Sequence, residues 1–319
     1  MLAARVHRYG PPEVLSFDRM DTPAPGRGEA LVRVRAAALN PKDVIVRKGK
    51  FRWLTGPEGG RRFPLRVGQD FAGEIVATDG PDPVGTPVFG MLGGLRTFGA
   101  CATHVLAKHD WYAPRPPGLD DVGAAALPLA ALTALQALRD DGRLEAGASV
   151  LVNGASGGVG AYGVQLAKAL GARVTGVSSA RNRELVLGLG AAGHVDYAAT
   201  ELATLDERFD VIFDAFGNRS PDELGPILAP GGTYVTTVPG PHAVLWQLRS
   251  YLGGRRSRLV VVRSRRRDLD FLSRAVEAGT LRPVVDRVLP FEELAAAHAY
   301  LETRRARGKV VVTLPDPPP

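Results

Sequence analysis

Residues Val150–Gly160 read VLVNGASGGVG and carry the clearest structural pattern of the chain. The apolar residues Val150–Val152 predict a strand, the glycines after them predict a tight turn, and the segment through Leu170 predicts a helix. Glycine lets the backbone approach a pyrophosphate closely, and amides at the N-terminus of the helix favour its negative charge. With a strand before the turn and a helix and second strand after it, the stretch predicts a dinucleotide-binding unit.

The rest of the middle segment alternates apolar strands with helical stretches. Asp120–Leu138 is rich in Ala and Leu and predicts a pair of helices. Strands separated by helices pair in parallel, so this part of the chain is predicted to be an α/β, Rossmann-type doubly wound sheet. Its candidate strands are Val150–Val152, Arg173–Val177, a strand at Val195, Val211–Phe213, Thr233–Val238 and Leu259–Val262.

The first 120 residues follow a different pattern, with short strands separated by Gly and Pro. Ala30–Ala38 alternates apolar residues with Arg, as a half-buried strand does, and Glu74–Ala77 is a second short strand. This pattern predicts a mostly β, barrel-like domain. The chain ends in a predicted helix, Phe291–Glu302, and a predicted strand, Gly308–Leu314.

Composition narrows the class of protein. The chain has 319 residues and a single cysteine, Cys101, which excludes an internal disulfide and a four-thiolate zinc site. No apolar run reaches the roughly 18 residues of a membrane span, and the N-terminus lacks the pattern of a signal peptide. These features predict a soluble, cytoplasmic protein that does not enter a membrane.

The charge distribution leaves one alternative open. The net charge is +7, and 34 of the 40 basic residues are Arg. Arginines are dense in the tract Arg249–Arg267, which permits attraction to a polyanion. The tract carries no aromatic residues at the stacking intervals of a single-strand binder. A solvated surface is the simpler interpretation, and a nucleic-acid-binding protein that uses this tract is kept as an alternative.

The end of the second strand indicates which dinucleotide is bound. An NAD site usually carries Asp or Glu there, to hold the ribose 2′-hydroxyl. This chain has Ser178 and Ser179, followed by Arg181. Hydroxyls and a guanidinium suit a 2′-phosphate, which a carboxylate would repel. NADPH is therefore the predicted cofactor, with Arg181 as an ordinary residue of the next helix as the alternative.

Motifs along nearly the whole chain carry a family resemblance. They are Tyr9–Leu15 (YGPPEVL), Leu39–Asp43 (LNPKD), Gly68–Glu74 (GQDFAGE), Ala126–Leu129 (ALPL), Leu132–Ala134 (LTA), the glycine turn and Arg307–Val311 (RGKVV). The chain resembles the zinc-free branch of the medium-chain dehydrogenase/reductase superfamily, the group of quinone and enoyl reductases. The resemblance implies a GroES-like catalytic domain built from residues 1–122 and 269–319, an NADP-binding domain from residues 123–268, and a cleft between them.

Both the residues and the resemblance argue against a catalytic zinc. Such a zinc takes three protein ligands, and among the six histidines only His104 and His109 lie close together, in a predicted strand and loop. Zinc-dependent relatives carry Gly-His-Glu where this chain has Gly68–Asp70, and Cys where it has Asn40. Two expected ligands are missing, so catalysis is predicted to be independent of metal.

Hydride transfer to a conjugated acceptor needs only a hydrogen-bond donor for the acceptor oxygen. Asn40 is the candidate catalytic residue, since its amide can orient the nicotinamide or that oxygen; a turn residue before Pro41 is the alternative. Many quinone reductases carry a Tyr where this chain has Ile45, so water is the candidate proton donor. Asp43 and Arg47 are interpreted as a local ion pair that shapes the cleft or is purely structural.

The predicted function is NADPH-dependent, zinc-independent transfer of hydride to a quinone or an α,β-unsaturated carbonyl compound. A sensor that binds NADPH without turnover is a further alternative. The predicted substrate-binding residues are Asp43, Ile45 and Thr133. The predicted cofactor-binding residues are Ser156, Gly157, Gly158, Val159, Ser178, Ser179, Arg181, Tyr197, Phe216, Val238 and Lys309. A homodimer is also expected, because Leu259–Val262 reads as an apolar edge strand that would pair with its own copy.

Overall fold

The computed structural model describes residues 1–50, 52, 62–93, 99–253 and 256–315. The chain divides into two units. The terminal unit comprises Met1–Leu129, Arg263–Ala278 and Arg282–Pro319, and the central unit comprises Ala130–Val262 and Gly279–Leu281. The divisions fall after Leu129 and Val262, where the sequence predicted residues 122 and 268. No described helix is both long and apolar enough to cross a membrane.

The strands and helices are numbered in chain order. The strands are β1 Leu2–Val6, β2 Leu15–Arg19, β3 Glu29–Leu39, β4 Leu65–Arg66, β5 Asp70–Thr78, β6 Pro87–Met91, β7 His104–Lys108, β8 Tyr112–Pro114, β9 Ser149–Asn153, β10 Arg173–Ser178, β11 Gly193–Asp196, β12 Phe209–Asp214, β13 Leu228–Thr236, β14 Arg256–Leu259, β15 Val285–Pro290 and β16 Lys309–Thr313. The helices are α1 Pro41–Arg47, α2 Asp121–Ala125, α3 Pro128–Gln136, α4 Gly158–Ala169, α5 Arg183–Gly188, α6 Pro241–Tyr251, α7 Arg266–Glu277 and α8 Leu294–Glu302.

The terminal unit is the predicted mostly β domain. Its larger sheet has the order β15-β16-β3-β5-β6-β8, with β7 also paired to β3. The long strand β3 pairs antiparallel with β16, so the two ends of the chain form one sheet. Side chains from the strands, with Phe291 and Leu294 of the C-terminal segment, form its apolar core.

Packing explains why the division differs from the predicted boundaries. Helix α2 contacts β3 and β5, and these contacts assign residues 123–129 to the terminal unit. Helix α7 contacts β8, and its Arg266 pairs with Asp82 at 3.0 Å, so it also belongs to the terminal unit. The predicted boundaries followed from motifs along the chain, and such motifs do not show which sheet a helix packs against.

The central unit confirms the doubly wound parallel sheet. Its strand order is β11-β10-β9-β12-β13-β14, and every pairing is parallel. The β9 strand lies in the middle, so the glycine turn after Asn153 is at the carboxyl edge of the sheet, where this fold binds ligands. Leu151, Phe209, Ile212 and Tyr234 are among the fully buried side chains of its core.

The predicted edge strand Leu259–Val262 is wrong. The observed strand β14 is Arg256–Leu259, because its register with Thr233–Thr236 of β13 ends at Leu259. Val260 still donates its N–H to the carbonyl of Thr236, but Val261 lies beyond the strand and is 55% exposed. Of the apolar run, only Leu259 belongs to the edge strand, and the residues after it lie beyond the strand.

Candidate active site

A buried polar cluster in the terminal unit surrounds Asn40. Asn40 is 3% exposed and lies between β3 and helix α1. Lys309 Nζ donates to Asn40 Oδ1 at 2.5 Å, and Asn40 Nδ2 donates to Asp70 Oδ2 at 3.0 Å. Lys309 Nζ also donates to Asp70 Oδ2 at 3.0 Å. Three chemically different side chains, from three segments distant in sequence, thus form one network.

Asp43 supports the turn that carries Asn40. It is 1% exposed, and its oxygens accept the backbone N–H groups of Asn40 at 2.8 Å and Gly68 at 3.0 Å. Loss of hydration on burial raises the pKa of this carboxyl to about 6. Because both oxygens bond to backbone, Asp43 joins the two segments that meet at the cluster. Both Asp43 oxygens are thus occupied by backbone N–H groups, and its contact with substrate stays a prediction.

The interpretation of Asp43 and Arg47 as an ion pair is also wrong. Arg47 is fully buried, donates to the carbonyl of Gly10 at 2.6 Å and pairs with the carboxylate of Glu302 on α8. The i, i+4 spacing places Asp43 and Arg47 on one helix face. The Asp43 oxygens are already bonded to backbone N–H groups, so the guanidinium pairs with Glu302 instead.

His298 lies on α8, one turn before Glu302, and is fully buried. Neither ring nitrogen has a hydrogen-bond partner among the residues that the structure describes. Loss of hydration, assisted by the positive charge of Arg47, lowers the pKa of this imidazole to about 3. The folded protein therefore holds His298 neutral down to about pH 3.

We expect His298 to make folding sensitive to acid. The unfolded imidazole takes up a proton below its ordinary pKa of 6.5, while the folded one stays neutral until near pH 3. Stability from this group is thus complete above pH 6.5 and falls by about 2 kcal/mol between pH 6.5 and pH 5. Denaturant unfolding should show this loss in the parent chain and in an exposed control, His242→Met. An equal loss in His298→Met would contradict the assignment.

The other predicted substrate residues, Ile45 and Thr133, belong to different units. Ile45 is half-buried on α1, and Thr133 is 5% exposed on α3, in the part of that helix that belongs to the central unit. Lys309 was predicted to bind the cofactor, but the structure places it in the terminal unit, 3% exposed and bonded to Asn40 and Asp70. Ile45 and Lys309 therefore belong to the terminal unit, whereas Thr133 belongs to the central unit, as the glycine turn does.

The glycine turn of the central unit has the geometry that a pyrophosphate needs. Gly154 has a φ of +81°, a conformation that other residues rarely adopt. A side-chain carbon at Gly160 would lie 2.1 Å from the carbonyl oxygen of Gly154, so the helix can approach the turn only without one. Gly157 caps helix α4, and the first N–H groups of that helix, from Gly158 and Val159, have no partner within it.

Polar side chains gather at the carboxyl end of β10, beside this turn. Asn182 Nδ2 donates to Ser156 Oγ at 2.9 Å and to Ser179 Oγ at 3.3 Å, which joins the turn to the segment after the strand. Ser178 is buried, and its hydroxyl lies 2.8 Å from His194 Nε2. Arg181 is exposed, with no ion-pair partner among the described residues. Its guanidinium can therefore meet a phosphate on a ligand.

Three exposed apolar side chains also lie at this edge of the sheet: Tyr197, Phe216 and Val238. Tyr197 follows β11 and donates its N–H to the carbonyl of Ser178 at 3.4 Å. A side-chain carbon at Gly154 would lie 3.1 Å from Phe216 Cβ, and one at Gly217 would lie 2.1 Å from Val238 Cγ2. The structure thus brings all the predicted cofactor residues except Lys309 to one edge of the central sheet.

Asp214 is a residue of this edge that sequence reasoning missed. It ends β12, is fully buried, and accepts N–H groups from Phe216, Gly217 and Arg219 at 2.7–3.2 Å. It also accepts the Tyr234 hydroxyl at 2.8 Å; burial, together with the charge of Asp214 and this bond, raises the pKa of the tyrosine. Asp214 orders the loop that carries Phe216. In the sequence, Asp214 directly follows a predicted strand and precedes Gly217 by three residues, and this position could have identified it.

The chain matches two family models, and it is similar to two known reductases and to one solved structure. The alcohol dehydrogenase GroES-like domain matches residues 26–117, and the model described as zinc-binding dehydrogenase matches residues 189–312. The 2-methylene-furan-3-one reductase of Solanum lycopersicum is 33% identical, over 95% of this chain and 76% of its own length. The NADPH-dependent alkenal/one oxidoreductase of Arabidopsis thaliana is also 33% identical, over 95% and 77%. The quinone oxidoreductase structure from Coxiella burnetii superposes with a TM-score of 0.89 at 29% identity, covering 99% of each chain.

Two features define the class of protein. One unit is mostly β and is built from both chain ends, and the other is a parallel sheet with a glycine turn. Together with the matching family models, they define an oxidoreductase that uses a nicotinamide cofactor. The chain belongs to the medium-chain dehydrogenase/reductase superfamily, in its branch of quinone oxidoreductases and enoyl reductases. The GroES-like and Rossmann-type domains predicted from the sequence are thereby confirmed.

The prediction of a cytoplasmic location is wrong, because the names of the relatives contradict it. Several of the relatives, the Arabidopsis protein among them, are named as chloroplast proteins. The prediction rested on the single cysteine and the absence of a recognisable signal peptide. A low cysteine count indicates only that the fold does not depend on disulfides, and it does not distinguish one reducing compartment from another.

The side chains at the positions of the expected zinc ligands are poor ligands for that metal. Asn40 presents a neutral amide, the Gln69 amide donates to the carbonyl of Leu92 at 3.1 Å, and Asp70 is paired with Lys309. In the part of the chain that the structure describes, no three His, Cys, Asp or Glu side chains are grouped as a metal site would need. The described residues therefore do not fit the zinc that the family model's description implies.

The arginine tract gives no support to nucleic-acid binding. Gly254 and Arg255 lie outside the described residues. Four of the described arginines lie near carboxylates: Arg249 with Asp222 at 3.9 Å, Arg266 with Asp82 at 3.0 Å, and Arg265 and Arg267 with Asp268 at 3.8 and 3.7 Å. Part of the positive charge of the tract is thus balanced within each unit.

Proposed function

We propose that the chain is an NADPH-dependent reductase that transfers hydride to an α,β-unsaturated carbonyl compound or a quinone, without zinc. The observation that carries the proposal is the buried amide of Asn40, held between Lys309 and Asp70. The nicotinamide supplies the hydride when bound. Asn40 then offers a hydrogen-bond donor, not a Lewis acid, to an oxygen on which negative charge develops.

Such a site favours acceptors that delocalise the added charge themselves. Reduction of a conjugated alkene or a quinone places that charge on an oxygen already conjugated to the reacting carbon. A saturated aldehyde or ketone instead takes the hydride at the carbonyl carbon, and its oxygen needs stronger polarisation. The names of the tomato and Arabidopsis relatives, a methylene-furanone reductase and an alkenal/one oxidoreductase, support the conjugated class.

The preference for NADPH rests on the edge of the central sheet. Ser178 and Ser179 stand where an NAD site has a carboxylate, and Arg181 is exposed beside them. A guanidinium forms bidentate, charge-assisted bonds with a phosphate. The Arabidopsis relative is named as NADPH-dependent, which supports the same choice.

We expect turnover to survive removal of metal. The test follows NADPH oxidation with an enone, a quinone and a saturated aldehyde, before and after dialysis against a strong chelator. The enone or the quinone should be reduced at an unchanged rate, because the Asn40 amide needs no metal, and the aldehyde should be reduced poorly. Loss of turnover on dialysis that added zinc restores would contradict the proposal.

A homodimer through the central unit is also proposed. Strand β14 has β13 as its only paired strand among the described residues, and on its outer edge the N–H of Leu259 donates to Gln247 Oε1 of helix α6 at 2.9 Å, so the proposed contact rests on that helix. Helix α6 contacts β14 and exposes a row of apolar side chains: Val244, Leu245, Leu248 and Tyr251, with Leu252 just after it. A contiguous exposed apolar surface of this kind marks an interaction site, and a two-fold axis would pair it with its own copy.

We expect Leu248→Glu to separate the two copies. Leu248 is 56% exposed in the middle of the apolar row, and a carboxylate there would be buried without a partner in the dimer. Light scattering should give about twice the 33.8 kDa chain mass for the parent and the single-chain mass for the variant. The control is Val84→Glu, at an exposed position of the terminal unit. A monomeric parent would refute the proposed dimer.

A further inference from the structure

We infer that Lys309 and Asp70 are positioning residues that hold the Asn40 amide in one orientation and strengthen it as a donor. The inference rests on the proposed function and deepens it. It assigns to Lys309 a role different from the predicted contact with the cofactor, and it assigns a role to Asp70, for which the sequence suggested none.

The chemistry of the neighbours determines the orientation of the amide. The two ends of an Asn side chain have nearly the same shape, so its orientation follows from its hydrogen bonds. A protonated Lys only donates and a carboxylate only accepts. Half a turn of the Asn40 amide would set Nδ2 against the Lys309 ammonium, now 2.5 Å from Oδ1, and Oδ1 against Asp70. Only one of the two orientations is therefore stable.

This orientation leaves one donor that a substrate can use. One Nδ2–H of Asn40 bonds to Asp70, and among the described residues the only other contact of Nδ2 is a long one, 3.5 Å, with the carbonyl of Ala38. An acceptor oxygen can replace that weak contact at little cost. The bond that Lys309 donates to Oδ1 draws electron density from the amide, so the remaining N–H becomes a stronger donor.

Asp70 stabilises the buried ammonium of Lys309 and fixes the position of the cluster. Asp70 and Lys309 are 0% and 3% exposed, so water screens their interaction little. The second oxygen of Asp70 accepts the backbone N–H of Leu129 at 2.7 Å, at the start of α3. The amide of Asn40 is therefore tied, through one carboxylate, to β5, β16 and the beginning of a helix.

A double-mutant cycle distinguishes a positioning role from direct contact with the cofactor. Lys309→Met is expected to lower kcat by about 10- to 100-fold, less than loss of the donor itself, with an unchanged Kd for NADPH. In an Asn40→Ala background the same change should have no further effect on kcat, because Lys309 acts through the amide. The inference would be overturned if the effects of Lys309→Met and Asn40→Ala on kcat multiplied, or if Lys309→Met raised the Kd for NADPH. Either result would leave the proposed function intact.

A second variant guards against simple misfolding. Lys309→Met alone leaves the Asp70 carboxylate buried without its cation, which destabilises the fold. Adding Asp70→Asn removes both charges and retains an oxygen for the Leu129 N–H. This double variant should melt close to the parent and keep the reduced kcat; parent-like kcat in the folded double variant would overturn the inference. Absence of turnover by the parent with every enone and quinone would overturn the proposed function, and the inference with it.

Discussion

Replacing Asn40 with alanine is expected to lower kcat for an enone or quinone by about 10²–10³-fold, the loss seen when one donor to a developing oxyanion is removed. The bond from Nδ2 forms fully only as charge reaches the acceptor oxygen, so KM should change much less than kcat. NADPH affinity is measured by titration of the same protein and should be retained, since the glycine turn and the other proposed cofactor residues belong to the central unit.

A matched control separates this catalytic loss from a loss of stability. Asp120 also precedes a helix of the terminal unit, and its carboxylate accepts the N–H of Gly123 at 2.7 Å. Asp120→Ala should cost about 1 kcal/mol of folding stability, as loss of a helix cap does, with kcat unchanged. A kcat for Asn40→Ala close to that of the parent would remove Asn40 from the reaction.

Replacing Arg181 with alanine is expected to raise the Kd for NADPH by about 10- to 100-fold. A charge-assisted bond to the 2′-phosphate contributes roughly 1.5–3 kcal/mol, and 1.4 kcal/mol corresponds to a tenfold change in Kd. NADH lacks that phosphate, so its Kd should hardly change. Fluorescence titration with both cofactors measures the two constants on the same protein.

Arg173 provides the control for Arg181. It begins the strand that ends at Ser178, so it lies at the opposite edge of the sheet, where it pairs with Glu207. Arg173→Ala removes the same charge from the same unit, and we expect no effect on either Kd. Equal losses of NADPH and NADH affinity in Arg181→Ala would show that the guanidinium does not bind the 2′-phosphate.

The sequence predicted best those features that depend on local pattern. A strand, a glycine turn and a helix must occur together for the Val150–Gly160 stretch to fold as it does, and the close approach of Gly160 to Gly154 shows why. Ser178, Ser179 and Arg181 were placed correctly at the end of β10 because strand ends in a parallel sheet meet at one edge.

Features that depend on distant partners were predicted less well. The spacing of Asp43 and Arg47 suggested a pair, but Asp43 bonds to the backbone of Gly68, 25 residues away. Lys309 reaches Asn40 only because β16 pairs with β3 across nearly the whole chain. Strand β14 ends at Leu259 because its pairing with β13 ends there, although the residues that follow are apolar.

The most direct test of the proposed reaction follows the hydride itself. NADPH carrying deuterium at the transferred position of the nicotinamide is incubated with the protein and an enone, and the product is examined by mass spectrometry and NMR. We expect one deuterium at the β-carbon of a saturated ketone, with the carbonyl intact and the α-hydrogen taken from solvent. Deuterium on the carbonyl carbon of an allylic alcohol, or an unlabelled product, would contradict the assignment of this chain as a reductase of conjugated acceptors.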